Sequence, residues 1–151
     1  MDTNINTLKC VLSKSTKQDI IDVDYQTKEL HGGTVGNVYL ITGIAKTSKD
    51  ELPFNIVLKI SKKWERFGDI NSWRREYDLY ASDLGSTFSN SLKWPDCYHF
   101  QLNDDEIQLW MEYIDGISGL ELTPEMYESA AYELGRFQGK IYTETQISYK
   151  I

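Results

Sequence analysis

The chain has 151 residues and a formal charge of −7, with 16 lysines and arginines against 23 aspartates and glutamates. The length fits one ordinary domain, and 40% hydrophobic with 13% aromatic residues can build a core, which excludes wholesale disorder. The acidic balance argues against a nucleic-acid or anionic-membrane partner. No apolar run approaches the roughly 20 residues of a membrane span, and the polar start has no apolar leader. Cys10 and Cys97 are the only cysteines, which excludes a disulfide scaffold or a multi-cysteine zinc site and makes a reducing, cytoplasmic setting the expectation.

Residues 1–22 are polar with scattered aliphatics and read as an N-terminal segment with one helical turn over 16–21. From Val23 onward, β-branched and aromatic residues crowd between turn signals. Strands are predicted over 23–30 and 37–45, joined by a glycine-containing connection at His31, Gly32, Gly33, Thr34, Val35 and Gly36. A third strand over 54–60 puts Phe54, Ile56, Leu58 and Ile60 on one face and Asn55, Val57 and Lys59 on the other. The first face is core. The second is apolar apart from a lysine.

The period changes over 71–84, where Trp73, Tyr77, Tyr80, Ala81 and Leu84 recur at helical spacing, with Asn71 or Ser72 as cap and Gly85 as stop. Glu76 falls inside that apolar stripe. Strands over 96–102 and 107–114 flank a polar turn at Asn103, Asp104, Asp105 and Glu106. Asp115 to Gly119 reads as a flexible connection, and Thr123, Pro124 and Glu125 open a long helix with Met126, Ala130, Leu134, Phe137 and Ile141 on one side. The predicted fold class is α+β: a five-stranded antiparallel sheet over 23–115 with one packed helix, then a hinge and a long helix over 116–151.

Several residues could carry chemistry. Backbone N–H groups of a glycine-containing connection at Gly33 to Gly36 can approach phosphate oxygens, although an ordinary hairpin turn accounts for the same residues. It is not a P-loop, because no GxxxxGK[ST] is present and no helix follows. Lys59 on an apolar strand face needs an anion nearby, and Glu76 in an apolar stripe needs a cation. Each alone is explained by a snorkelling or border position; together they are expected to pair. Lys62, Lys63, Arg66, Arg74 and Arg75 form a basic stretch, read as a solvated face with phosphate or partner contact second. No residue set suggests a metal site; His31 and His99 read as structural, Cys97 as a small apolar core residue and Cys10 as an ordinary surface or tail residue.

The ordered set of a glycine-containing hairpin, the strand lysine Lys59, the helix glutamate Glu76 and the stretch Met111 to Gly116 resembles the kinase signature set. In style it is similar to the small-molecule kinases of the aminoglycoside phosphotransferase and choline kinase type. Residues 134–139 look like the LGxxHG helix of their second lobe, with Gln138 in place of the histidine. The likeness spans about residues 23–142, and His31 replaces the first glycine of GxGxxG.

This resemblance implies a nucleotide-binding role, with ATP and Mg²⁺ as cofactors, and transfer to a small-molecule hydroxyl. Gly33, Thr34, Val35 and Gly36 would shape the loop over the phosphates. Lys59 would hold the α- and β-phosphates, oriented by Glu76. Val38, Val57 and Met111 would line the adenine, whose edge would meet the backbone of Glu112, Tyr113 and Ile114. The resemblance requires Lys59 and Glu76 on one side of the sheet.

No HxD pattern follows either histidine, and no aspartate follows Asp115, so the chain holds no catalytic residue and no metal ligand of the family. The expectation is therefore an ATP-binding N-terminal portion, inactive by itself, with acceptor binding only where a second lobe is present. The face of Leu134, Phe137 and Ile141 would then be uncovered and available for self-association. Two alternatives stay open: a non-catalytic lobe binding a nucleotide or protein, and an unrelated α+β interaction domain.

Overall fold

The computed structural model describes residues 4–30, 36–65, 67–84, 93–117 and 119–148, with side chains through residue 143. The elements are helix α1 (Ile5–Thr16), strands β1 (Asp22–Leu30), β2 (Asn37–Lys46) and β3 (Glu51–Lys62), helix α2 (Arg75–Ala81), strands β4 (Cys97–Leu102) and β5 (Glu106–Glu112), and helix α3 (Pro124–Ser148). The five strands form one sheet in the order β1-β2-β3-β5-β4, and every neighbouring pair is antiparallel. The chain is thus α+β, with a five-stranded antiparallel sheet and a long last helix. Contacts divide it into a sheet unit, Met1–Ser82 with Pro95–Ile114, and a second unit, Asp83–Trp94 with Asp115–Ile151.

The alternation over β3 is as expected: Phe54, Ile56 and Leu58 are buried, while Val57 and Lys59 are partly exposed on the opposite face. The buried face carries Val23, Ile41, Ala45, Phe54, Ile56, Leu58 and Trp110, and it is α1 that covers it. Leu8, Val11 and Leu12, at helical spacing, are fully buried there. This corrects the reading of residues 1–22 as a segment with one helical turn over 16–21. The helix lies earlier and is part of the core. Asn4 caps it, its Oδ1 accepting from Asn6 N at 3.0 Å and Thr7 N at 3.4 Å. Lys17 ends it in the left-handed region at φ 58°. Two lysines moor the helix: Lys9 Nζ donates to Ile21 O at 2.5 Å and Lys14 Nζ to Tyr98 O at 2.9 Å.

Strand β3 is longer than predicted and runs through Pro53, which pairs with Ile44 of β2. Helix α2 is shorter than the predicted 71–84. A 3₁₀ turn, Ser72–Arg74, precedes it, neither Asn71 nor Arg74 caps through its side chain, and Ser82 is already extended. The apolar spacing survives because Trp73 in that turn is buried and Tyr77 meets Phe100 of β4 edge-on at 5.5 Å. The predicted stop, Gly85, lies outside the described residues.

In the second unit, Thr123 Oγ1 accepts from Met126 N at 3.4 Å at the start of α3, with Pro124 in the first helical position. Leu84, Phe137, Ile141 and Tyr142 line an apolar cavity of about 370 Å³, and Leu134 is exposed. No helix among the described residues is long and apolar enough to cross a membrane.

Candidate functional site

The face of the sheet opposite α1 holds several of the described residues singled out from the sequence. Val38 pairs directly with Lys59, and Lys59 with Leu109, forming one cross-strand row. Leu40, Val57, Met111 and Cys97 form the next row through successive direct pairs. Directly paired residues point to the same side of a sheet. Val38, Val57, Lys59 and Met111 therefore share one face, as the nucleotide reading requires. Leu40 and Leu109 belong to it as well and were not singled out. The alternation in β2 was the available signal for Leu40.

Helix α2 brings Glu76 to this face, where Glu76 Oε2 accepts from Lys59 Nζ in an ion pair. The two side chains are 30% and 34% exposed, so the pair is neither sealed nor free. An ammonium has three donors, and Glu76 engages one side of Lys59, leaving the group able to meet a second anion. Near the carboxylate, a phenol and a thiol are pushed toward their neutral forms. Burial, then Cys97, Glu76 and Asp96, pushes the Tyr80 phenol well above its ordinary value, and its hydroxyl donates to Pro95 O at 3.1 Å. Burial first, with Glu76 adding to it, pushes the Cys97 thiol up to about 11. Cys97 Sγ donates to His99 O at 3.3 Å. The thiol is therefore a neutral apolar neighbour of Met111 rather than a nucleophile.

Gly36 enters β2 with φ +90°, a region L side chains rarely adopt. A Cβ there would lie 2.7 Å from Ser61 Oγ and overlap the Ile60 carbonyl oxygen. The close approach presses the end of the β1–β2 connection onto β3, two residues from Lys59. Gly33, Thr34 and Val35 lie outside the described residues, as does His31.

At the other end of the site, the backbone N–H of Glu112 donates to Asp96 O at 2.8 Å, and Glu112 Oε2 accepts from Asp96 N at 3.2 Å. This uses the Glu112 N–H just before the start of β4, so of its backbone groups the carbonyl is the one left for a ligand. Tyr113 and Ile114 follow β5 and are exposed at 36% and 56%. Every described residue assigned to the nucleotide lies in the sheet unit.

Among the described residues no group of three or more His, Cys, Asp or Glu side chains is placed to hold a metal ion. No family model, no curated protein and no solved structure matches the chain.

Proposed function

We propose that the chain is the ATP-binding portion of a kinase of the aminoglycoside phosphotransferase type, whose reaction is transfer of a phosphoryl group from ATP to a small-molecule hydroxyl. One observation carries the reading: the Lys59–Glu76 ion pair stands on the sheet face that also bears Val38, Val57 and Met111. Lys59 and Glu76 on opposite faces would have excluded it. In this account Lys59 holds the α- and β-phosphates and Glu76 fixes the ammonium. The connection at Gly33 to Gly36 offers backbone N–H groups to the phosphates. Val38, Leu40, Val57 and Met111 pack on the adenine, and backbone groups of Glu112, Tyr113 and Ile114 meet its edge.

Mg²⁺ accompanies the nucleotide, and no residue of this chain is assigned to it. Phosphoryl transfer needs an aspartate base in an HxD-type loop and a metal-binding aspartate, and these 151 residues contain neither pattern. By themselves they bind without transferring. Self-association through the exposed apolar side of α3 and a reducing cytoplasmic setting, which suits free Cys10 and Cys97, belong to the same proposal.

Thermal unfolding with and without Mg-ATP tests the reading. A ligand at 100 times its dissociation constant stabilises the folded state by about 2.7 kcal/mol. The melting temperature should rise with Mg-ATP and should not rise in Lys59→Ala. No rise in the unsubstituted chain would remove the nucleotide role.

A further inference from the structure

None of the residues proposed to hold the nucleotide belongs to the basic stretch after β3. Of its described members, Lys62 is exposed and Arg75 pairs with Asp69. Lys63 and Arg74 instead meet in one cavity of about 380 Å³, walled by the end of β3, the turn Ser72–Arg74 and the β4–β5 hairpin. That volume is in the range of small-molecule sites. Trp73, Leu102 and Ile70 supply apolar walls, and Asp104 adds a carboxylate to the same lining.

The charges are not used up by one another. Asp78 accepts from Arg74 Nε at 3.0 and 3.1 Å and from Nη2 at 2.7 Å, and the guanidinium lies 5.9 Å from the centre of the Tyr77 ring. This holds the planar group in place by one edge, so the Nη1 donors on the opposite edge keep their capacity. Neither the Lys63 ammonium nor the Asp104 carboxylate has a side-chain partner among the described residues. The main chain joins the two segments, Lys63 N donating to Asp105 O at 2.6 Å. A cavity holding a pre-positioned guanidinium, a free ammonium, a free carboxylate and an indole complements a ligand that carries both signs of charge on a short apolar body.

We propose that this cavity binds a small zwitterion of the free amino acid class. Its acidic group meets Lys63 and Arg74, its ammonium meets Asp104 and the Trp73 ring, and its side chain lies against Leu102 and Ile70. The site shares no residue with the nucleotide face and stands independently of it.

The test is titration of the full chain with L-phenylalanine, followed by the indole N–H resonances, with Trp73 assigned from Trp73→Phe. A saturable shift of the Trp73 signal is expected. Phenylalaninamide, without the carboxylate, and N-acetylphenylalanine, without the ammonium, should each bind about tenfold more weakly. Lys63→Gln should weaken phenylalanine by a similar factor and leave phenylalaninamide unchanged. Asp104→Asn should weaken phenylalanine and leave N-acetylphenylalanine unchanged. Both substitutions are at surface side chains, and the backbone bond between Lys63 and Asp105 is retained. Absence of a saturable Trp73 shift, equal binding of either singly charged analogue, or losses that follow the wrong analogue would each overturn the proposal.

Discussion

Lys59 of β3 and Glu76 of α2 form an ion pair across 17 residues of sequence, on the sheet face that α1 does not cover. With about a third of each side chain in solvent, the pair contributes little to folding, on the order of 0.2–1 kcal/mol. Its value in this account lies in orientation. Glu76→Gln should therefore lower stability in urea by no more than about 1 kcal/mol while weakening Mg-ATP about tenfold in calorimetric titration. Loss of stability without loss of affinity would make the pair purely structural.

Helix α1 is where the fold should be most sensitive. Leu12 is fully buried between the helix and the sheet, so Leu12→Ala removes its contacts and leaves a cavity. The cost should be about 3 kcal/mol, read as a lowered urea midpoint with unchanged slope. A change below about 0.5 kcal/mol, the range of ordinary surface substitutions, would mean that α1 is not docked in solution.

Gly36 combines a positive φ with contact to β3, so Gly36→Ala meets both backbone strain and the Ile60 carbonyl oxygen. A loss of about 1–3 kcal/mol is expected by chemical denaturation. Because the residue packs on Ile60 and Ser61, next to Lys59, nucleotide affinity should fall with it.

His99 of β4 pairs with Trp110 under α1, and burial, followed by the nearby Lys14 ammonium, lowers its pKa from 6.5. The folded chain thus binds this proton less readily than the unfolded chain. The contribution is fully present above about pH 6.5 and is lost as pH falls from there through the lowered folded value. Urea midpoints at pH 7.5 and 5.5 should differ less in His99→Gln than in the unsubstituted chain. An equal difference would assign the acid sensitivity to other groups.

The sheet was legible because β-branched and aromatic residues alternate over short runs, and strand faces follow directly from that period. The Lys59–Glu76 pairing was legible for a related reason: each is a charge in an otherwise apolar row. Helix α1 was not. It buries only Leu8, Val11 and Leu12 in a largely polar segment, and that burial depends on a sheet formed later in the chain. The shortness of α2 also escaped, because Trp73 keeps helical spacing while sitting in a 3₁₀ turn. The hydrogen bond from the Glu112 N–H to Asp96 was not legible for a register reason. Alternation tells which face a residue takes, but not that Asp96 lies opposite to receive that hydrogen bond.

The proposed nucleotide occupies one particular face of the sheet. Methyl NMR of the chain titrated with Mg-ATP tests it most directly, since the two faces carry different aliphatic residues on the same strands. The expected result is saturable shifts for Val38, Leu40, Val57 and Met111, with Ile41, Ile56 and Leu58 unchanged, and loss of the response in Lys59→Ala. Shifts confined to the α1 face, or no saturable shift at all, would contradict it.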